Sequence, residues 1–158
     1  MIIAFQIINS GAENMNFMGA WFAIWLAGLW VAIGRWYLSE TSLEVMGKNP
    51  KMISFLLTVS ILWVALVESA AIYGLIVAFQ IMDSTTLTGL GALGAGLAIG
   101  LTGLGAWVGE GLLIKGAING INAAPESKGK IMAFMVLFVA LVEVIAIYGL
   151  IVAFKILG

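Results

Sequence analysis

The chain has no cysteine and no histidine, only two prolines, and few charges: seven Lys plus Arg and eight Asp plus Glu in 158 residues. Each scarcity removes a class of protein. Without cysteine there are no disulfides, no thiolate nucleophile and no Cys metal site, and without histidine the usual near-neutral general base is missing as well. Most hydrolytic and redox chemistry therefore lacks its reagents. Seven basic residues with a net charge of −1 build no surface that could hold a phosphate backbone, so nucleic acid is not a partner. What is abundant is apolar: 63% of residues are hydrophobic and 20 are glycine, and the mean hydropathy is +1.14. That balance belongs to a membrane protein rather than a soluble domain.

Apolar stretches run from Phe17 to Leu38, Ile53 to Met82, Leu87 to Ile121 and Ile131 to Leu157. Each reaches the ~20 residues needed to cross about 30 Å of hydrocarbon. Because lipid offers the backbone no hydrogen-bond partners, and the stretches lack a barrel's alternation, the expectation is an all-α membrane protein of four transmembrane helices. The segment 1–16 is apolar at its start, too short to span, and has no positive leader region; it is expected to be retained and to lie at the interface.

An internal repeat at an offset of 75 organises the chain. Val64 to Glu68 is identical to Val139 to Glu143, and Ala71 to Phe79 to Ala146 to Phe154. The same offset carries Gly19 onto Gly94, Gly28 onto Gly103, Gly34 onto Gly109 and Pro50 onto Pro125 without a gap. Each proline sits in a polar turn between two spans, so the unit is a helical hairpin. The predicted division is 17–82 for the first hairpin, 83–86 for the connection and 87–158 for the second. The turns hold Lys48, Lys51, Lys128 and Lys130, whereas the connection holds Asp83 and no basic residue. The positive-inside rule places both turns in the cytoplasm and the connection on the opposite side.

Glu68 and Glu143 occupy the same depth, near the middle of the second helix of each hairpin. A charge there costs about 2.5 to 3.5 kcal/mol on insertion scales, so each acid needs an offsetting role. An apolar surrounding favours the protonated acid or a carboxylate neutralised by a cation, and a group that switches between these states carries ions. The alternative is a carboxyl that only hydrogen-bonds a neighbouring helix. Glycines 94, 96, 100, 103, 105, 109 and 111 give helix 3 a surface on which helix backbones approach closely; no strand precedes them, which rules against a phosphate loop. At four equivalent positions helix 1 carries Trp21, Trp25, Trp30 and Trp36. If helices 1 and 3 alternate round a ring, these indoles are expected to hold the inner wall apart or to seat lipid.

The segments VESAAIYGLIVAF (Val67 to Phe79) and VEVIAIYGLIVAF (Val142 to Phe154) resemble the carboxylate helix of rotary ATPase proteolipids, the c or K subunits of the membrane rotor. The resemblance covers nearly all of the chain: a Gly-rich helix, a polar turn with proline, and a glutamate at the same distance past that proline in both hairpins, Pro50 to Glu68 and Pro125 to Glu143. The duplicated four-helix form looks more like V-type and A-type rotors than the single-hairpin F-type, although duplicated F-type proteolipids exist. What the resemblance implies is a homo-oligomeric ring in lipid that turns past a stator subunit (a or I), its carboxylates taking up and releasing transported H⁺ or Na⁺, with no cofactor. Phosphoryl transfer then belongs to other subunits, and the chain is no enzyme by itself. It also implies docking of the central stalk on the cytoplasmic turn, for which Lys48, Asn49 and Pro50 resemble the family's basic-amide-proline pattern; Ala123 and Ala124 break it in the second turn.

The resemblance further implies a sodium site made of the carboxylate, a side chain at a fixed position before the proline on the first helix of a hairpin, and a hydroxyl following the carboxylate on the adjacent hairpin. The position before the proline is Arg35 in the first repeat and Glu110 in the second. The site positions therefore split into two unlike sets: Glu143, Glu110 and Ser69, with the Leu66 carbonyl placed to help, against Glu68, Arg35 and Val144. Only the first offers a hard cation enough oxygens, and its two acids could instead share one proton. In the second, Arg35 either holds Glu68 in a structural ion pair or snorkels to the cytoplasm and leaves both acids working. Tyr73 and Tyr148 follow each glutamate at the same spacing and either hydrogen-bond a carboxylate or pack. Glu40 and Glu44 read as a solvated face, and Lys115 and Lys155 as snorkelling. A rival class is the small four-helix proton-coupled cation or drug exporter; its membrane glutamate usually lies in the first helix, not in helices 2 and 4.

Overall fold

The computed structural model describes the backbone of residues 2–84 and 89–158, with side chains except at 2–10, 12–14, 69 and 70. Four helices follow one another: α1 (Ile2–Lys48), α2 (Ile53–Asp83), α3 (Leu90–Ala123) and α4 (Lys128–Leu157). All four contain a stretch long and apolar enough to cross a membrane. α1 is unbroken over 47 residues, about 70 Å. The segment 1–16 is thus continuous with the first span from Ile2 on, not set apart from it by a break. The start expected for the third span, Leu87, and half of the connection at 83–86 (residues 85 and 86) lie outside the described residues, and α2 itself runs on to Asp83.

The two hairpin turns are built alike. Asn49 and Ala124, each preceding a proline, adopt φ/ψ of −135°/85° and −137°/76°. The ring of a following proline disfavours the α conformation, so the helix stops there. A single 3₁₀ turn at Pro50–Met52 or Pro125–Ser127 then reverses the chain into α2 or α4.

α1 and α3 pack together along their lengths, α2 lies against α1 and α4 against α3, and α2 and α4 meet only lightly. Glycine sets these distances. A Cβ on Gly96 would collide with the backbone of Gly19, one on Gly19 with the carbonyl of Ala92, and one on Gly111 with the backbone of Gly34. Inside the hairpins, Gly74 faces Ala23 and Ala27 of α1, and Gly149 faces Ala98 and Thr102 of α3. Those are the same positions once 75 is added, so both copies fold alike. Without a hydrophobic driving force between helices in lipid, close van der Waals contact at such small residues is what joins them. Trp63 and Trp107 fill the space around the crossing, both fully buried.

Replacing Gly96 by Ala is expected to destabilise the fold by about 1 to 3 kcal/mol through overpacking. Gly28→Ala, which meets nothing within 4 Å, should be neutral or slightly stabilising. Thermal unfolding in detergent of the two variants side by side checks the contrast.

Candidate functional site

Glu68 falls at the midpoint of α2 (Ile53–Asp83), and Glu143 at the midpoint of α4 (Lys128–Leu157). Both acids therefore sit at mid-helix, where water is scarce. Their surroundings differ sharply.

Glu143 is half-buried, and accepts a hydrogen bond of 3.0 Å at Oε1 from the hydroxyl of Tyr73. Tyr73 stands on α2, so the contact bridges the two hairpins. From α3, Glu110 is 1% exposed and near enough to Glu143 for the two charges to be coupled. Its Oε1 has no hydrogen-bond partner among the described residues. A buried, unpartnered carboxylate is costly, so Glu110 needs a proton or a cation beside it. Leu66 is half-buried on α2 and packs on the core around this junction. The side chain of Ser69 lies outside the described residues.

Glu68 sits at the outer edge of the first hairpin. Arg35 Nη1 lies 3.6 Å from its Oε1, the two side chains being 42% and 55% exposed. This is an ion contact rather than a tight hydrogen bond. In water such a half-exposed pair would be worth little; in hydrocarbon each partner is the other's nearest neutraliser. Val144 is half-buried on α4 within the second hairpin, and Tyr148 is 60% exposed. Neither of these two reaches Glu68 within the chain, where the structure pairs that acid with Arg35 alone among the described residues.

At the turn end, Lys48 pairs with Glu44, and Asn49 Nδ2 donates 3.0 Å to Asn122 Oδ1. Pro50 is exposed beside it. Asn122 went unremarked as a contact in the sequence, although its register gave a signal: it replaces Gly47 of the first repeat, so the two turns cannot be equivalent. Lys115 stands over the Tyr37 ring at 5.4 Å and Lys128 over the Phe55 ring at 3.6 Å. Each cation rests on a ring of the other hairpin.

Fold and site together define a membrane protein made of two tandem helical hairpins, each with an acid in the middle of its second helix. The family model for the ATP synthase C subunit matches the chain twice, over residues 18–81 and 93–156. The ATP synthase c subunit of Clostridium beijerinckii is 45% identical over 69 residues, which is 44% of this chain and 96% of that protein. Those of Bacillus thuringiensis and Bacillus cereus are 43% identical over the same shares. The chain belongs to the ATP synthase C-subunit family, as a duplicated rotary ATPase proteolipid. It is an integral membrane, ion-translocating component of a rotor ring and carries no catalytic step of its own, which removes the exporter reading.

Arg35→Leu is expected to leave Glu68 as an uncompensated acid that takes a proton. A hydrophobic carbodiimide, which reacts with protonated carboxyls, should then label the Glu68 peptide of the variant several-fold more than that of the wild type. Mass spectrometry of the digested protein reads the ratio.

Proposed function

We propose that this rotor subunit binds and releases its ion chiefly at Glu143, with Glu110, Ser69, the Leu66 carbonyl and Tyr73 completing the site, while Glu68 is held by Arg35 as a structural ion pair. The observation that supports this most is the asymmetry of partners: Tyr73 donates to Glu143 beside a buried second acid, whereas an arginine stands beside Glu68. A permanent cation next to Glu68 leaves no charge for a transported ion to neutralise, so it would ride round the ring unchanged. Glu143 accepts from the Tyr73 hydroxyl and has a second acid, Glu110, close by, so a positive companion would neutralise the pair before it faces lipid.

Two carboxylates with a hydroxyl and a backbone carbonyl favour Na⁺, a hard cation that wants several oxygens; a proton shared between Glu110 and Glu143 is the other form of the same neutralisation. In the ring, ion uptake and release against a stator subunit drive or follow rotation. The turn at Lys48, Asn49 and Pro50 faces the cytoplasm and docks the central stalk. The duplicated form favours a V-type or A-type machine, and the likeness to ATP synthase c subunits an F-type-like one, in a prokaryotic plasma membrane.

In reconstituted vesicles containing the whole complex, Glu143→Gln should abolish ion pumping, and Glu68→Gln should retain most of it. Pumping that survives Glu143→Gln and is lost in Glu68→Gln would reverse the assignment. For the ion, Na⁺ at fixed pH is expected to slow carbodiimide modification of Glu143 by tenfold or more; unchanged labelling would leave the proton as the cargo.

A further inference from the structure

The contact between the two hairpins inside the chain supplies a template for the contact between chains. On α1 it is made by Gly19, Trp30 and Gly34; on α3 by Gly96, Gly100 and Gly111. Gly19 lies against Gly96, Gly34 against Gly111, and the Trp30 indole donates to the Gly100 carbonyl at 3.1 Å. Shifting the α1 set by the repeat offset of 75 gives Gly94, Gly105 and Gly109 on α3, and shifting the α3 set back gives Trp21, Trp25 and Trp36 on α1. Both shifted sets lie on surfaces that the single chain leaves at least partly uncovered. The three tryptophans are 50%, 47% and 70% exposed. A Cβ on Gly105 would meet nothing within 4 Å, and those on Gly94 and Gly109 would meet only the tips of Ile156 and Val142.

Resting on the ring reading, we propose that successive copies join through these two faces: Trp21, Trp25 and Trp36 of one copy seat on Gly94, Gly105 and Gly109 of the next. Each large ring meets a residue with no side chain, which accounts for the bulk of one face and the bareness of the other. Two kinds of seam follow. Inside the chain, Gly111 has no room for any side chain against Gly34. Between chains, Trp36 holds the equivalent place, so α1 and α3 must stand farther apart there. The ring is then a set of close pairs separated by wider, indole-filled seams. Arg35 and Glu68 sit on that same edge of the hairpin. The seam covers them, and the offset that relates Tyr73 to Tyr148 turns the exposed Tyr148 of one copy toward Glu68 of its neighbour.

The chain has no cysteine, so introduced thiols report without background. Trp25→Cys combined with Gly105→Cys, treated in membranes with a short bismaleimide, should give a ladder of covalent multimers. Trp30→Cys with Gly100→Cys should give none, its thiols lying within one chain. An intact ring by native mass spectrometry with no ladder overturns the seam and leaves the rotor reading standing; a mass of one or two chains overturns both. As a second measurement, Gly105→Phe should abolish the ring and Trp25→Gly in the same chain should restore it. A normal ring from Gly105→Phe alone also refutes the seam.

Discussion

A carboxylate held at mid-membrane cannot be left to itself, and the rest of the molecule follows from how each of two such groups is compensated. The apolar surroundings make solvation unavailable and leave a charge three remedies: a proton, a cation, or a permanent basic partner. Glu68 has the third, in Arg35. Glu143 has a phenol donor and, close by, a second acid whose charge would also have to be neutralised. The two acids therefore differ through one side chain on the facing helix, Arg35 beside Glu68 and Glu110 near Glu143.

Duplication makes that difference possible. A rotor of single hairpins has one kind of junction, so any substitution at the acid's facing position is repeated at every step. With two hairpins in one chain, the junction inside it and the junction between chains evolve separately. Here the inner one has glycine against glycine along α1 and α3 and brings Tyr73 and Glu110 to Glu143. The outer edge carries Arg35 and three tryptophans. Backbone spacing and electrostatics diverge together because both are set by residues on the same faces.

The turns carry the same asymmetry in milder form. Proline after Asn49 and after Ala124 fixes the reversal in both copies through backbone sterics alone, and the dihedrals nearly coincide. Their side chains do not agree. Asn49 reaches across to Asn122 within the chain, whereas its repeat equivalent, Ala124, has no amide to offer. A partner that reads the turns would meet Asn49, joined to Asn122, before one proline and Ala124 before the other.

By itself the sequence determined the class of protein, the four spans, the hairpin repeat and the depth of both acids. These depend on hydrophobic length, proline sterics and register, all of which are local to the chain. It also named Arg35 and Glu110 as the residues that make the two sites unlike. It could not tell Tyr73 from Tyr148, identical in their repeats, nor find Asn122 opposite Asn49, nor say which tryptophan turns inward. Trp30 bonds to Gly100 while Trp21, Trp25 and Trp36 remain on the outer edge. Those distinctions belong to the tertiary structure, because two equal helices become different only when one has a neighbour from its own chain and the other does not.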